Sequence, residues 1–104
     1  MNENNLVIRL DPSDNVGVAA CSLRDGQLAY CEGRTLTVIG DVPTGHKIAL
    51  QGIAAGAKVV KFAAPIGSAT CDIRPGEHVH LHNLRSDYLP TYTFDPGKAY
   101  VRRV

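Results

Sequence analysis

The chain has 104 residues, 44% hydrophobic and 20% charged, an ordinary globular composition that suits one small domain and excludes a disordered chain. Eleven basic and ten acidic side chains leave a formal charge of +1, which gives no electrostatic reason to expect nucleic acid or an anionic membrane as partner. No apolar run reaches the ~20 residues of a membrane helix, the start MNENNLVIRL lacks the basic and apolar stretches of a signal peptide, and three cysteines without a CxxC pair argue against a disulfide scaffold, so the cytoplasm is the expected compartment.

Apolar residues alternate over short runs. Leu6, Ile8 and Leu10 share one face until Asp11-Pro12 stops the run. Asp11, Asp14 and Asn15 then suit a turn, because their side chains can bond the local backbone. Val16, Val18 and Ala20 repeat the period of two, and Leu36, Val38 and Ile39 form a third run ended by Gly40-Asp41. His46 to Leu50, Lys58 to Phe62 and His78 to His82 follow, the last being the most regular. Short runs of this kind, rich in Val and Ile, are strand signals.

Between them stand Asp25-Gly26, Glu32-Gly33, Thr44-Gly45, Ala55-Gly56, Pro75-Gly76 and Pro96-Gly97. These are turn dipeptides: glycine reaches positive φ without steric cost, and proline presets φ. Gln51 to Ala57 has room for a single helical turn, and its two glycines disfavour more. The expectation is an all-β domain with at least six short strands and tight turns. No internal repeat or linker is evident. After residue 87 come four of the six aromatics, Tyr88, Tyr92, Phe94 and Tyr100, mixed with Pro90, Pro96, Lys98, Arg102 and Arg103. Residues 88–104 therefore read as an extension to a domain at 1–87, either contacting a partner or covering the core.

Three of the four histidines lie in Glu77-His78-Val79-His80-Leu81-His82-Asn83. On a strand, His78, His80 and His82 would project from one face, with neighbours about 7 Å apart at the Cβ atoms. Two such imidazoles can converge on a metal, or one can bind metal while the next positions substrate; imidazole suits iron, manganese, zinc and copper alike. The bland alternative is a solvated strand face. His46 and Lys47 follow the Pro43-Thr44-Gly45 turn, and both side chains are proton handlers when their surroundings tune them. Lys47 also suits a carboxylate. Cys71 lacks a neighbouring histidine and reads as a small core residue. No phosphate loop or nucleophile elbow is present.

The blocks Asp14-Asn15-Val16-Gly17-Val18-Ala19, Pro43-Thr44-Gly45-His46-Lys47-Ile48-Ala49-Leu50, Val60-Lys61-Phe62, Ile66-Gly67-Ser68-Ala69-Thr70 and Val79-His80-Leu81-His82-Asn83 come in one order. Together they resemble the N-terminal SAF-type domain of the altronate/galactarate dehydratase family. The Gly-His-Lys and Val-His-x-His-Asn blocks carry the resemblance jointly. It implies a β-clip fold and a role as the small subunit of a lyase. Such a lyase removes water from a sugar acid, or sulfite from sulfolactate, together with a separate large catalytic subunit. It also implies catalytic roles for His46 and Lys47, substrate contacts from Lys61 and Asn83, and a divalent metal, iron or manganese, on His80 and His82. The family often carries an aromatic where His78 stands, which leaves His78 without an assigned role. The alternative is a non-catalytic β-clip module that binds a carbohydrate or protein partner, since a fold alone does not make an enzyme. A cupin-like metal protein is a poorer match, because residues 84–104 supply neither the histidine nor the glutamate such a site needs. Self-association stays open.

Overall fold

The computed structural model describes residues 6–87, 93–95 and 100–102. The described residues form eleven strands, β1 (Val7–Ile8), β2 (Val16–Ala19), β3 (Leu28–Cys31), β4 (Arg34–Thr37), β5 (Lys47–Ala49), β6 (Lys58–Lys61), β7 (Ala64–Ala69), β8 (His78–Val79), β9 (Leu84–Arg85), β10 (Thr93–Asp95) and β11 (Tyr100–Arg102). Among the described residues there is no helix, and none, therefore, that is long and apolar enough to cross a membrane. The all-β expectation of short strands and tight turns is what the chain adopts. The one helical turn allowed for Gln51 to Ala57 is instead a bridge at Ile53 and a turn at Ala55-Gly56. β10 and β11 pair with each other; the rest of the 88–104 extension, and the partner or core contact expected of it, lies outside the described residues.

The central sheet runs β1-β2-β5-β8, antiparallel throughout. Side chains alternate across a sheet, and residues opposite one another in an antiparallel pair share a face. Val7 pairs with Ala19 and Gly17 with Ile48, while Val16 pairs with Ala49 and Lys47 with Val79. The register thus sends Val7, Ala19 and Ile48 into one buried cluster with Leu23, Ala29, Cys31, Leu36, Val38 and Val42. It sends Val16, Ala49 and Val79 into a second, with Ile53, Val59, Ala69 and Ile73. One sheet sandwiched between two small cores explains how two- to four-residue strands suffice: each fully buried Val, Leu or Ile contributes about 1.5–3 kcal/mol.

The two cores belong to two halves of the chain that repeat each other. The bridge Leu23–Val42 recurs as Ile53–Ile73. The hairpin β3-β4, turning at Glu32-Gly33 with both φ positive, recurs as β6-β7, turning at Phe62-Ala63. Asp41 accepts the Asp25 N–H at 3.0 Å, and Asp72 accepts the Ala55 N–H at 2.8 Å. Gly45 N–H donates to Ala19 O, and Gly76 N–H to Ala49 O, both at 2.8 Å. The repeat that the sequence hides is therefore explicit in the backbone. It hides because its requirements are loose: an apolar residue at each bridge, a turn-former at each turn, and Asp41 and Asp72 as one of the few identities.

Cys71 corrects a sequence expectation. It is exposed, in the bend after β7, whereas the buried cysteine is Cys31 on β3. The strand β7 ends at Ala69, so the alternation that would have turned Cys71 inward has already stopped. Asp14 and Asn15 do form the expected turn, and more. The buried Asp14 carboxylate accepts the N–H groups of Phe62 and Ala63, each at 2.8 Å. Asn15 accepts from Val60 N–H at 2.8 Å and donates to Lys58 O at 2.9 Å. These four bonds clamp the β6-β7 hairpin to the start of β2.

Candidate functional site

Strands β5 and β8 pair Lys47 with Val79 and Ile48 with His78. The same register continued by one residue sets His46 opposite His80. Thr44-Gly45 makes the turn that delivers His46: Gly45 has φ 84°, and His46 N–H closes back on Pro43 O at 3.0 Å. His46 and His80 stack with ring centroids 4.3 Å apart, and His46 Nδ1 lies 3.0 Å from His78 Nε2. That contact requires one nitrogen to carry a proton and the other to offer a lone pair, so at least one of the two rings is neutral. His82 tilts against His78 at 5.2 Å.

The strand expected over His78 to His82 is shorter than its periodicity suggests. β8 ends at Val79, and His80 to Asn83 form a turn closed by Asn83 N–H to His80 O at 3.1 Å. The reason is Asn83. It is buried, its Oδ1 accepts the His80 N–H and its Nδ2 donates to His78 O, both at 2.9 Å. A side chain that satisfies two main-chain groups replaces the ladder bonds a longer strand would have made. Asn83, expected as a substrate contact, has both amide atoms bonded to backbone. The histidines whose donor atoms gather are His46, His78 and His80, all within 4.8 Å of one another. The pair expected to hold a metal was His80 with His82, and His82 lies outside that group. His78, left without a role, is central to it; the signal was present in the His-x-His-x-His spacing.

The electrostatics are one-sided. Burial holds Lys47 below the usual lysine range, and the charge of Lys61 adds to the effect. Burial likewise lowers His78, followed by His82, His46, His80 and Lys47. His80 is lowered by desolvation and then by His46, Lys47 and His82. Every neighbouring charge acting on these three groups is basic. The acid nearest in sequence, Glu77, is turned away: its Oε1 accepts the Arg74 N–H at 2.9 Å. Alternation points Lys47 to the opposite sheet face from His46, beside Val18 and Val79, yet its charge still reaches His78 and His80. Lys61 stands at the end of β6, next to the exposed Phe62. Leu81, between His80 and His82, is also exposed. Four histidines therefore gather at the β5–β8 edge of the central sheet, within reach of the Lys47 charge, and the exposed Leu81 stands among them. Such a group can bind an anion, pass a proton between rings, or hold a metal that favours nitrogen.

This is an all-β domain with a basic histidine–lysine site at the edge of its central sheet. The chain belongs to the altronate/galactarate dehydratase SAF domain family, whose pattern matches residues 5–87. It is similar to altronate dehydratase of Escherichia coli strain K12, 43% identical over 105 residues, covering 93% of this chain and 21% of that enzyme. It is 36% identical to altronate dehydratase of Bacillus subtilis strain 168, over 86% of this chain and 18% of that enzyme. It is also 36% identical to the (2R)-sulfolactate sulfo-lyase subunit alpha of Chromohalobacter salexigens, over 73% of this chain and 88% of that subunit. The chain thus spans about a fifth of the altronate dehydratases it matches, and nearly the whole length of the sulfo-lyase subunit. The family is one of dehydratase-related lyases.

Proposed function

We propose that this chain is the small subunit of a lyase that eliminates water, or sulfite, from a hydroxy acid, working with a longer catalytic polypeptide. One observation carries the reading: in a chain of this family, His46, His78 and His80 gather, and every charge acting on His78, His80 and Lys47 is basic. An uncompensated positive site calls for an anion, and a hydroxy-acid carboxylate supplies one. The elimination takes a proton from the carbon next to that carboxylate. Its electron pair becomes the C=C bond, and the β-substituent leaves, as water once protonated or as sulfite. Negative charge spreads onto the carboxylate as the proton departs. Fixed cations stabilise that charge more in the transition state than in the bound substrate, which is the condition for catalysis. The charges of Lys47 and Lys61 draw the carboxylate in, and His46 faces the developing charge. No carboxylate base stands in the cluster, so the base comes from the longer polypeptide. That polypeptide docks over Leu81, which lies between His80 and His82 and is 81% exposed.

The test is turnover of altronate, galactarate and (2R)-sulfolactate by the chain alone, and after mixing with a longer catalytic polypeptide of the same family. Turnover is expected only in the mixture, and His46→Gln should lower it by about a hundredfold or more, the scale of a positioned group that stabilises developing charge. Turnover by the short chain alone would overturn the two-polypeptide reading. A mixture indifferent to His46→Gln would remove the site from the chemistry.

A further inference from the structure

We propose that the recess between the end of β1 and the β3-β4 hairpin is a second binding site, which takes the carboxylate head of a small organic acid between Arg9 and Arg34. Cys31, Leu36 and Leu50 supply its apolar lining, and Arg9, Arg34 and Gln51 its donors. The recess is well separated from the histidines. β1 is the edge of the central sheet opposite β8, and Leu50 follows β5 about 13 Å along the chain from His46. One orphaned atom points to a ligand. Arg9 Nε is buried and, among the described residues, has no hydrogen-bond partner, and such a donor is costly unless something accepts from it. The rest of that guanidinium is pinned: Nη1 donates to Pro12 O at 3.1 Å, and Nη2 pairs with Glu32 at 2.6 Å. Arg34 Nη1 reaches Leu50 O only at 3.5 Å, too long for a strong hydrogen bond, which leaves its fork to a ligand. Two guanidinium groups from separate segments, one of them already fixed in place, make a preorganised grip.

The donor chemistry selects the ligand. A carboxylate is planar, accepts only, and offers one oxygen to each guanidinium. The recess has room for little more than a water-sized group, so the acid enters by its head and leaves its carbon chain in solvent. Two acids also line the recess, and both are engaged: Glu32 by Arg9, and Asp14 by the N–H groups of Phe62 and Ala63. Their charges tell against a dianion such as phosphate. Cys31 serves as wall and not as nucleophile, because burial, with the Glu32 charge adding to it, raises its thiol above the usual range. The equivalent hairpin β6-β7 has Phe62 and Ala64 where β3-β4 has Glu32 and Arg34, so the repeat builds this grip in the first half alone. The recess shares no residue with the histidine cluster, and neither reading depends on the other.

The experiment follows the Arg9 Nε–H signal by NMR in the full chain while sodium acetate replaces sodium chloride at constant ionic strength. A saturable shift with one midpoint is expected, with the same midpoint in His46→Gln. Arg34→Gln should raise that midpoint at least about tenfold, the scale of a lost hydrogen bond to a charged group. Should Arg34→Gln unfold, as shown by circular dichroism, the wild-type amide signals decide: those of Arg9, Arg34 and Gln51 should move with the midpoint of the Arg9 Nε–H. An Arg9 signal indifferent to acetate would overturn the assignment, as would an equal shift with inorganic phosphate. So would a midpoint that His46→Gln moves, one that a folded Arg34→Gln leaves in place, or scattered midpoints among the three amides.

Discussion

Lys47 and Asn83 occupy neighbouring sites with opposite consequences for stability. Lys47 is half-buried beside Lys61 with no acid to offset either charge, so burial and repulsion both act against it in the folded chain. Lys47→Met keeps the stem and removes the charge. It should stabilise the domain by roughly 0.5–1 kcal/mol, the usual scale when a functional residue is replaced by a structurally better one. It should at the same time raise the substrate KM of the assembled lyase. A thermal melt and initial rates on the same variant check both directions. Asn83→Ala does the reverse. It strips partners from the His80 N–H and His78 O, and unmet buried polar groups cost about 1–3 kcal/mol each. A denaturant titration should show a loss of that size. The proposed function gives Lys47 a ligand to bind, whereas Asn83 holds the chain.

At the scale of elements, the turns decide more than the strands. Gly76 has φ 87°, and a Cβ there would collide with the Thr37 carbonyl oxygen. Its own carbonyl accepts the Ile39 N–H at 2.8 Å, which ties the two halves together just before β8. Gly76→Ala should therefore cost more than the 1–3 kcal/mol of ordinary backbone strain, because backbone is what it strikes. Denaturant midpoints should fall accordingly, while Gly26→Ala, with open space at its Cβ, carries only the positive-φ penalty. The junction of β6, β7 and β9 makes a pH-dependent contribution. Asp87 accepts from Lys58 at 2.7 Å and from Ser68 at 2.9 Å, and those bonds hold its carboxyl below the usual aspartate range. Its folded-state pKa is below the unfolded value, so its stabilisation is present above about pH 4. The stabilisation is lost as pH falls through the folded value. Melting temperatures recorded down the acid range should drop more steeply for wild type than for Asp87→Asn.

For the whole molecule, the repeated halves explain where the site lies. Each half is a core capped by a turn, and the central sheet joins them through the β2-β5 ladder. His46 ends the first half, and His78 and His80 end the second; each group follows an equivalent glycine turn, Gly45 in one case and Gly76 in the other. Duplicated architecture thus brings together two chain segments over 30 residues apart, and different residues at equivalent positions make the junction basic. The first half presents His46 where the second has Glu77. Asymmetry of sequence on a repeated backbone gives one such cluster among the described residues, at one edge.

The sequence alone determined the all-β class, the positions of the turns and the family, because each depends on local chemistry: alternation, glycine at positive φ, and contiguous motif blocks. It also brought the right segments into view, His46-Lys47 and the histidine run. What only the tertiary structure decided was membership. His78 replaced His82 in the cluster because Asn83 ends the strand at Val79, and a side chain's preference for backbone over solvent is not visible in a period of two. The opposite facing of Lys47 and His46, the exposure of Cys71 and the repeat of the two halves were decided at that level too. Register and burial depend on which distant segment is opposite, and that is set by the packing of two cores against one sheet.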